Sequence, residues 1–168
     1  LSRREGTGDP GAGGAPLAII FSACWCAPSL LCSARLAAAQ AEAGADTVDV
    51  VVVSFDRNEE DFREHVAQHV QKQWWVLDFC ARGLAQRLAR AYGVRTVPSV
   101  VVSRSNGQLV TQQGRRELEA NGTATLMSWV AAAAAPAPAG SAPPRRLQMV
   151  RMSQQPPPPR ALAARPRG

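Results

Sequence analysis

Residues 47–54, TVDVVVVS, form the segment that most restricts the fold of this chain. Their apolar side chains are nearly continuous instead of alternating with polar ones, which is typical of a strand covered on both faces of a parallel sheet. A shorter apolar run at residues 18–21 has the same character. An Ala- and Leu-rich helical pattern from about Pro28 to Gly44 separates the two runs. A strand, a helix and a second buried strand together predict an α/β layer structure.

The rest of the chain extends this pattern. Asn58 can cap a second helix, in which Phe62, Val66 and Val70 form one buried stripe. The further elements that we predict are an apolar loop at residues 74–79, a short helix at 84–91, a β-type run at 94–102 broken by a proline, a hairpin turn at 105–107 with a returning strand at 109–111, and a last helix at about 123–134. We therefore expect a central, mainly parallel sheet with a C-terminal antiparallel hairpin and helices on both faces.

Composition divides the chain into three parts. Residues 1–16 are Gly-rich and predict a flexible leader, residues 17–135 contain the domain, and residues 136–168 are Pro- and Arg-rich and predict a disordered tail. The net charge of +6 comes from arginines in the tail, which has no acidic residue, so the predicted domain and leader are neutral together. This distribution argues against nucleic-acid binding as a main function and leaves only weak tail contacts. No apolar run approaches the roughly 20 residues of a membrane span.

The first predicted strand meets the first predicted helix at Trp25-Cys26-Ala27-Pro28. In an open α/β sheet such a turn lies at the carboxyl edge, where reactive groups collect. The unpaired N–H groups and the dipole of the following helix would stabilise a thiolate at Cys26. Pro28 suits the first helical turn because its missing N–H costs nothing there. Cys26 is therefore the candidate nucleophile, with Trp25 as an apolar wall beside it; an ordinary buried thiol is the alternative.

A second element supports this interpretation. Thr96-Val97-Pro98 precedes a strand that we expect to lie beside the first one. A proline inside an apparent central strand argues against an ordinary hydrogen-bonded ladder. A cis Val97–Pro98 bond would resolve this and turn the Val97 backbone outward, where it could pair with an extended peptide. A trans proline at a bulge is the alternative.

Taken together, these motifs resemble the thioredoxin fold. Within it, the chain is similar to the nucleoredoxin and tryparedoxin branch, and to the nucleoredoxin-like family in particular. The segments that carry this resemblance are residues 50–56 (VVVVSFD), 74–79 (WWVLDF), 91–94 (AYGV), 26–29 (CAPS), 106–111 (NGQLVT) and 114–116 (GRR). The resemblance covers about residues 17–135.

The resemblance implies roles for individual residues. Cys26 corresponds to the attacking cysteine of the family, and Ser29 stands where dithiol members have a resolving cysteine. The implied substrate-binding residues are Trp25, Ala27, Pro28, Val97 and Pro98. The resemblance also implies an intracellular protein linked to the upkeep of photoreceptors and other sensory neurons. Because the leader stands where relatives have an opening strand, the sheet could lack its N-terminal edge strand.

A serine at position 29 changes the expected chemistry. Dithiol reduction needs a second thiol to resolve the mixed disulfide, and Ser29 cannot do this. Its hydroxyl could hydrogen-bond the Cys26 thiolate or simply cap the helix. Cys24, Cys32 and Cys80 are not convincing resolving thiols, so release would need glutathione or another external thiol. We expect protein thiols or disulfides as partners, and weak or absent general disulfide reductase activity.

Other chemistry receives little support from the sequence. His65 and His69 are four residues apart, but no third ligand accompanies them, so a solvated helix face is the favoured interpretation and no metal or cofactor is expected. With no secretory signal pattern at the start, the four cysteines predict free thiols in the cytosol. The competing function is a non-enzymatic module that binds an unknown protein partner. A third is a phosphate- or RNA-contacting tail on an inert fold.

Overall fold

The computed structural model describes residues 10–11 and 14–135, and these form one mixed sheet with helices on both faces. The elements in chain order are β1 (Leu17–Ser22), α1 (Ala27–Ala43), β2 (Asp49–Ser54), α2 (Glu59–His69), β3 (Trp75–Val76), α3 (Arg82–Ala91), β4 (Ser99–Ser103), β5 (Leu109–Thr111), α4 (Gly114–Asn121) and α5 (Ala124–Ala134). The five strands lie in the order β3-β2-β1-β4-β5. β1 is parallel to β2 and β2 to β3, whereas β4 is antiparallel to β1 and to β5.

The sheet separates two apolar cores. Alternate residues of the central strands point to opposite faces, so Ile20 and Val52 belong to one core while Ile19 and Val51 belong to the other. The first core is completed by side chains of α1, α2, α4 and α5, and the second mainly by α3. The apolar runs in β1 and β2 are continuous because both faces of these strands are covered, as the sequence indicated.

The register places the candidate turn at a defined edge. β1 ends at Ser22, and the turn from Ala23 to Cys26 leads directly into α1. Because β4 is antiparallel to β1 and its first residue Ser99 pairs with Phe21, the residues just before β4 lie beside this turn. The end of β2 lies on the other side of β1. Segments from both neighbouring strands thus flank the turn.

Two predicted elements differ from the structure, and one observed helix was not predicted. The segment at residues 74–79, predicted as a loop, contains the short edge strand β3, which pairs with β2, followed by a 3₁₀ turn at Phe79–Ala81. The run at 94–102 is a strand only from Ser99 onward, since a proline without an N–H cannot extend the ladder. Helix α4 was not predicted. Apart from Gly114, its only buried residue is Leu118, so its apolar pattern is weak.

Several predictions concern the two ends of the domain. Among the described residues no strand precedes β1. Gly11, in the predicted leader, donates its N–H to the Asp49 carboxylate at 2.8 Å. Most of the leader and all of the tail at 136–168 lie outside the described residues. Within the described part of the chain, no helix is long and apolar enough to cross a membrane.

Candidate active site

Cys26 is the N-cap residue of α1, with an extended backbone conformation, and Pro28 lies in the first turn of the helix. The thiol is partly buried and donates to the C=O of Val97, with sulfur and oxygen 3.6 Å apart. The Val97–Pro98 peptide bond is cis. The structure therefore brings Cys26 together with the Val97-Pro98 segment, although the two are more than seventy residues apart in the sequence.

Trp25 forms the exposed side of the site. Half of its surface is accessible, at 51%, which is unusual for so large an apolar side chain. Its indole N–H donates to the C=O of Phe55 at 3.3 Å, and the Arg57 guanidinium lies 5.5 Å from the ring centre. The hydrogen bond and the cation–π contact fix the indole plane beside Cys26. Ala27 and Pro28 are exposed next to it.

Neither sequence-based interpretation of Ser29 agrees with the structure. The N-cap of α1 is Cys26, so Ser29 lies in the first helical turn and does not cap it. Its side chain is fully buried, and its hydroxyl makes no hydrogen bond within the described residues. The Cys26 thiol is directed instead to Val97. Ser29 therefore fills space beneath the N-terminus of the helix without holding the sulfur.

The other three cysteines are poor nucleophiles. Burial, followed by the hydrogen bond and charge of Asp56, raises the pKa of Cys24 to about 11. Burial within the core also raises the pKa of Cys32 to about 11. Cys80 is exposed, and the charge and hydrogen bond of Asp78 raise its pKa. Because thiolates are the reactive form, these raised pKa values disfavour reaction of all three at neutral pH.

A buried polar cluster lies directly beside the candidate turn and was missed by sequence reasoning. The Asp56 carboxylate accepts the Cys24 N–H at 2.6 Å, the Ser54 hydroxyl at 2.6 Å and His65 Nδ1–H at 2.7 Å. His65 Nε2 lies 3.2 Å from the Ser22 hydroxyl. Burial favours the protonated acid, but the hydrogen bonds from Ser54, Cys24 and His65 outweigh it and hold the pKa of Asp56 below its usual value.

The position of His65 corrects the prediction that it lies on a solvated helix face. Its side chain is only 1% exposed, whereas His69 is partly exposed. The signal was present in the sequence, because His65 is three residues after Phe62 and directly before Val66 and therefore lies on the buried face of α2. The described residues contain no group of histidine, cysteine and acidic side chains that could hold a metal ion.

The arrangement Ser22, His65 and Asp56 has the order of a hydrolytic triad, but it cannot act as one. All three side chains are at most 1% exposed, so no substrate carbonyl can reach the Ser22 hydroxyl. The cluster instead joins the ends of β1 and β2 to the middle of α2, immediately next to the turn that carries Cys26.

Arg115 in α4 is a further residue near the site that the sequence did not identify as functional. The hydrogen bond to Glu119 raises the pKa of Arg115, and the charges of Glu119, Cys32 and Cys26 contribute in the same direction. The guanidinium is therefore close enough to Cys26 to interact with a thiolate there. Sequence reasoning could not place it, since α4 itself was not predicted.

Comparison with known proteins agrees with the fold. The family model described as thioredoxin-like matches residues 14–109. Nucleoredoxin of Mus musculus is 30% identical over 108 residues, covering 62% of this chain and 24% of the relative. The chain thus spans about a quarter of the length of the nucleoredoxins that it matches.

Two solved structures have the same architecture. Tryparedoxin from Trypanosoma brucei superposes with a TM-score of 0.62 at 25% identity, covering 70% of this chain and 81% of that one. A tryparedoxin II solved in complex with glutathionylspermidine gives a TM-score of 0.57 at 28% identity, covering 64% of this chain and 74% of that one. The expected thioredoxin-like α/β fold is confirmed by these neighbours.

Proposed function

The chain belongs to the thioredoxin-like family, and on this basis we propose that Cys26 exchanges thiols with disulfides by a single-cysteine mechanism. The observation that carries the proposal is the pairing of a partly accessible thiol at the N-terminus of α1 with a serine three residues later. The raised pKa values of Cys24, Cys32 and the exposed Cys80 support Cys26 as the reactive sulfur. Nucleoredoxin and tryparedoxin relatives support a redox role.

The proposed reaction has two steps. The Cys26 thiolate attacks one sulfur of a disulfide, a bond forms between the two sulfurs, and the other half of the disulfide leaves as a thiolate that takes up a proton. Because Ser29 has no sulfur, the mixed disulfide persists until an external thiol attacks it. Glutathione, as that thiol, forms a bond to the substrate sulfur while the bond between that sulfur and Cys26 breaks, so Cys26 leaves as a thiolate and the substrate carries the glutathione. A second glutathione then releases the substrate thiol as oxidised glutathione forms. The tryparedoxin II complex, whose ligand is named glutathionylspermidine, supports a glutathione-type partner.

The protein substrate is proposed to lie across the turn and the Val97-Pro98 segment. Trp25, Ala27 and Pro28 would contact it from one side, and the Val97 backbone would pair with it from the other. The exposure of Trp25 and the direction of the Cys26 thiol toward Val97 support this placement.

The finer identity is also a proposal. Cys26-Ala27-Pro28-Ser29 and residues 106–111 resemble nucleoredoxin-like protein 2, and we propose a role in maintaining photoreceptors and other sensory neurons. The four free thiols support a reducing compartment such as the cytoplasm. Capture of mixed-disulfide partners from photoreceptor cells would test this, with Cys26→Ser as the control that cannot be trapped. Recovery of the same proteins by both forms would contradict a thiol-dependent partnership.

The reaction itself is tested with oxidised glutathione and the full chain. We expect one glutathione adduct, located by peptide mass spectrometry at Cys26, and its release by excess reduced glutathione. Cys26→Ser should form no rapid adduct. An adduct that forms first at Cys80, or no adduct at all, would overturn the proposal.

A non-enzymatic binding role is the second candidate, and the exposed Trp25 favours it. An indole that is held flat by Phe55 and Arg57 can anchor a protein partner without any sulfur chemistry. The two functions separate by substitution. If binding alone matters, Trp25→Ala abolishes partner capture by non-covalent pull-down while Cys26→Ser leaves it intact; under the thiol-exchange proposal Cys26→Ser abolishes covalent capture.

A further inference from the structure

Cys24 and Cys26 lie in one tight turn but are held on opposite sides of β1. The Cys26 N–H donates to the Ala23 C=O at 3.1 Å, which closes the turn. The Cys24 N–H is hydrogen-bonded to Asp56, which follows β2. The Cys26 thiol is hydrogen-bonded to the C=O of Val97, which precedes β4. Since β2 and β4 flank β1 on its two sides, the anchors of the two cysteines are directed apart.

Chain distance alone would not keep these sulfurs apart. Residues separated by one position lie within roughly 7 Å of each other at Cα, and a turn shortens this. Disulfides form between Cα atoms about 4.4–6.8 Å apart. A bond between Cys24 and Cys26 is therefore within reach of a modest rearrangement of the turn, and something in the structure must oppose it if Cys26 is to react alone.

The group placed to oppose it is the Asp56 carboxylate. Besides the Cys24 N–H, it accepts a hydrogen bond from the Cys24 thiol. Its position is fixed by Ser54 and His65, and His65 is in turn held by Ser22. Asp56 and His65 are each 1% exposed, so water does not compete for the bond between them.

We infer that Asp56 is a positioning residue that withholds Cys24 from the reaction at Cys26 and so makes this a single-thiol protein. This inference rests on the proposed function, because it concerns the fate of the mixed disulfide at Cys26. The carboxylate holds the Cys24 backbone on the β2 side, and its hydrogen bond and charge add to burial in raising the pKa of the Cys24 thiol.

Without this restraint, Cys24 could displace glutathione from the adduct at Cys26. The Cys24 thiolate would attack the Cys26 sulfur of the glutathione adduct, a Cys24–Cys26 bond would form, and the Cys26–glutathione bond would break. Glutathione would leave as a thiolate and take up the proton that Cys24 had lost, so atoms and electrons balance without a further reagent. The pKa of Cys24, raised to about 11, opposes the first step at neutral pH.

The opposite role, in which Asp56 takes the proton of Cys24 and thereby helps it to attack, fits the contacts less well. The carboxylate already accepts bonds from the Cys24 N–H and thiol, Ser54 and His65. The Cys24 N–H bond also holds the turn toward β2, away from the face on which the Cys26 thiol meets Val97.

The test follows the glutathione adduct at Cys26 in the full chain and three variants: Asp56→Asn, Cys24→Ser, and both together. Each protein is treated with oxidised glutathione, the excess is removed, and adducts and internal disulfides are followed by intact-mass and peptide mass spectrometry. We expect the wild-type adduct to persist with the same lifetime, within about twofold, in Cys24→Ser. In Asp56→Asn we expect it to be replaced by a Cys24–Cys26 disulfide at least about tenfold faster, because the competing attack is intramolecular. The double variant should regain the long-lived adduct.

The outcomes separate this inference from the proposed function. A long-lived Cys26 adduct in Asp56→Asn, or a Cys24–Cys26 disulfide in the wild type, would overturn the inference alone. Absence of any Cys26 adduct in all four proteins would overturn the proposed function and this inference with it. If Asp56→Asn does not fold, as judged by circular dichroism, the inference is tested by comparing the adduct lifetimes of the wild type and Cys24→Ser. Equal lifetimes support the inference, and a longer lifetime in Cys24→Ser overturns it.

Discussion

Substitution of Ser29 is the most direct way to change this site from a single-thiol to a dithiol site. Its buried hydroxyl makes no hydrogen bond within the described residues, so a thiol at that position breaks no existing contact. We expect Ser29→Cys to supply the missing resolving thiol and to shorten the lifetime of a Cys26 mixed disulfide at least about tenfold. Insulin reduction in the presence of a dithiol should then become measurable. A Ser29→Cys protein that forms the adduct but does not resolve it would contradict this account, and Ser29→Ala is the control for packing.

Arg115 provides a second prediction at this scale. Because the positive charge of Arg115 interacts with the Cys26 sulfur, we expect Arg115→Gln to slow iodoacetamide alkylation of Cys26 at pH 7 by about two- to fivefold, which corresponds to a surface charge contribution of under about 1 kcal/mol. The neighbouring Arg116→Gln, which removes the same charge from the exposed position 116, is the matched control and should leave the rate unchanged. Equal effects of both variants would show that net charge alone is responsible.

Residues differed in how far the sequence could place them. Cys26 and Pro98 could be placed because Cys26 follows a recognisable strand pattern and Pro98 interrupts one, and the topology then brings their segments to one edge. Asp56 and His65 could not, since a carboxylate and an imidazole are buried only where partners satisfy them, and those partners come from the ends of two strands.

The helix α4 shows how close packing, and not sequence pattern, fixes an element. A Cβ atom added to Gly114 would lie 2.9 Å from the Val100 backbone oxygen and 3.3 Å from the Trp129 ring. We expect Gly114→Ala to lower the free energy of unfolding by about 1–3 kcal/mol through this overlap.

The matched control is Gly83→Ala in α3, where the nearest atom to an added Cβ is the end of the Arg87 side chain at 3.6 Å. There the higher helix propensity of alanine should raise the free energy of unfolding by up to about 1 kcal/mol. Urea denaturation measures both changes, and equal signs for the two variants would contradict the packing argument.

The elements that the sequence missed or misassigned share a physical cause. β3 contains only two residues, too few for any periodicity, and it forms because β2 offers it an open edge. Helix α4 has little apolar surface of its own and is held by contacts with β4 and α5. The long elements β1, α1 and β2 were placed correctly because their own composition decides their burial.

At the scale of the whole molecule, Asp56 links the site to acid stability. Its pKa is lowered in the folded state, so the unfolded chain takes up the proton more readily and the free energy of unfolding falls as the pH drops below about 4. Above that value the contribution is fully present. We expect urea midpoints between pH 7 and pH 3 to fall less steeply for Asp56→Asn than for the wild type. Glu60→Gln, at an exposed position of α2, is the control for the effect of net charge. An identical slope of urea midpoint against pH for wild type and Asp56→Asn would contradict the depressed pKa of Asp56.

The whole account depends on Cys26 being the one sulfur that the fold activates. The direct measurement is a competition among the four cysteines of the native full chain for a limiting amount of iodoacetamide, with the site of modification read by peptide mass spectrometry across pH 6–9. Exposure alone would select Cys80. We predict that Cys26 is modified first throughout this range and faster than Cys80 at pH 7, because Asp78 raises the pKa of Cys80 whereas Cys26 lies at the N-terminus of α1. Faster modification of Cys80, or equal rates at the two positions, would contradict the central claim.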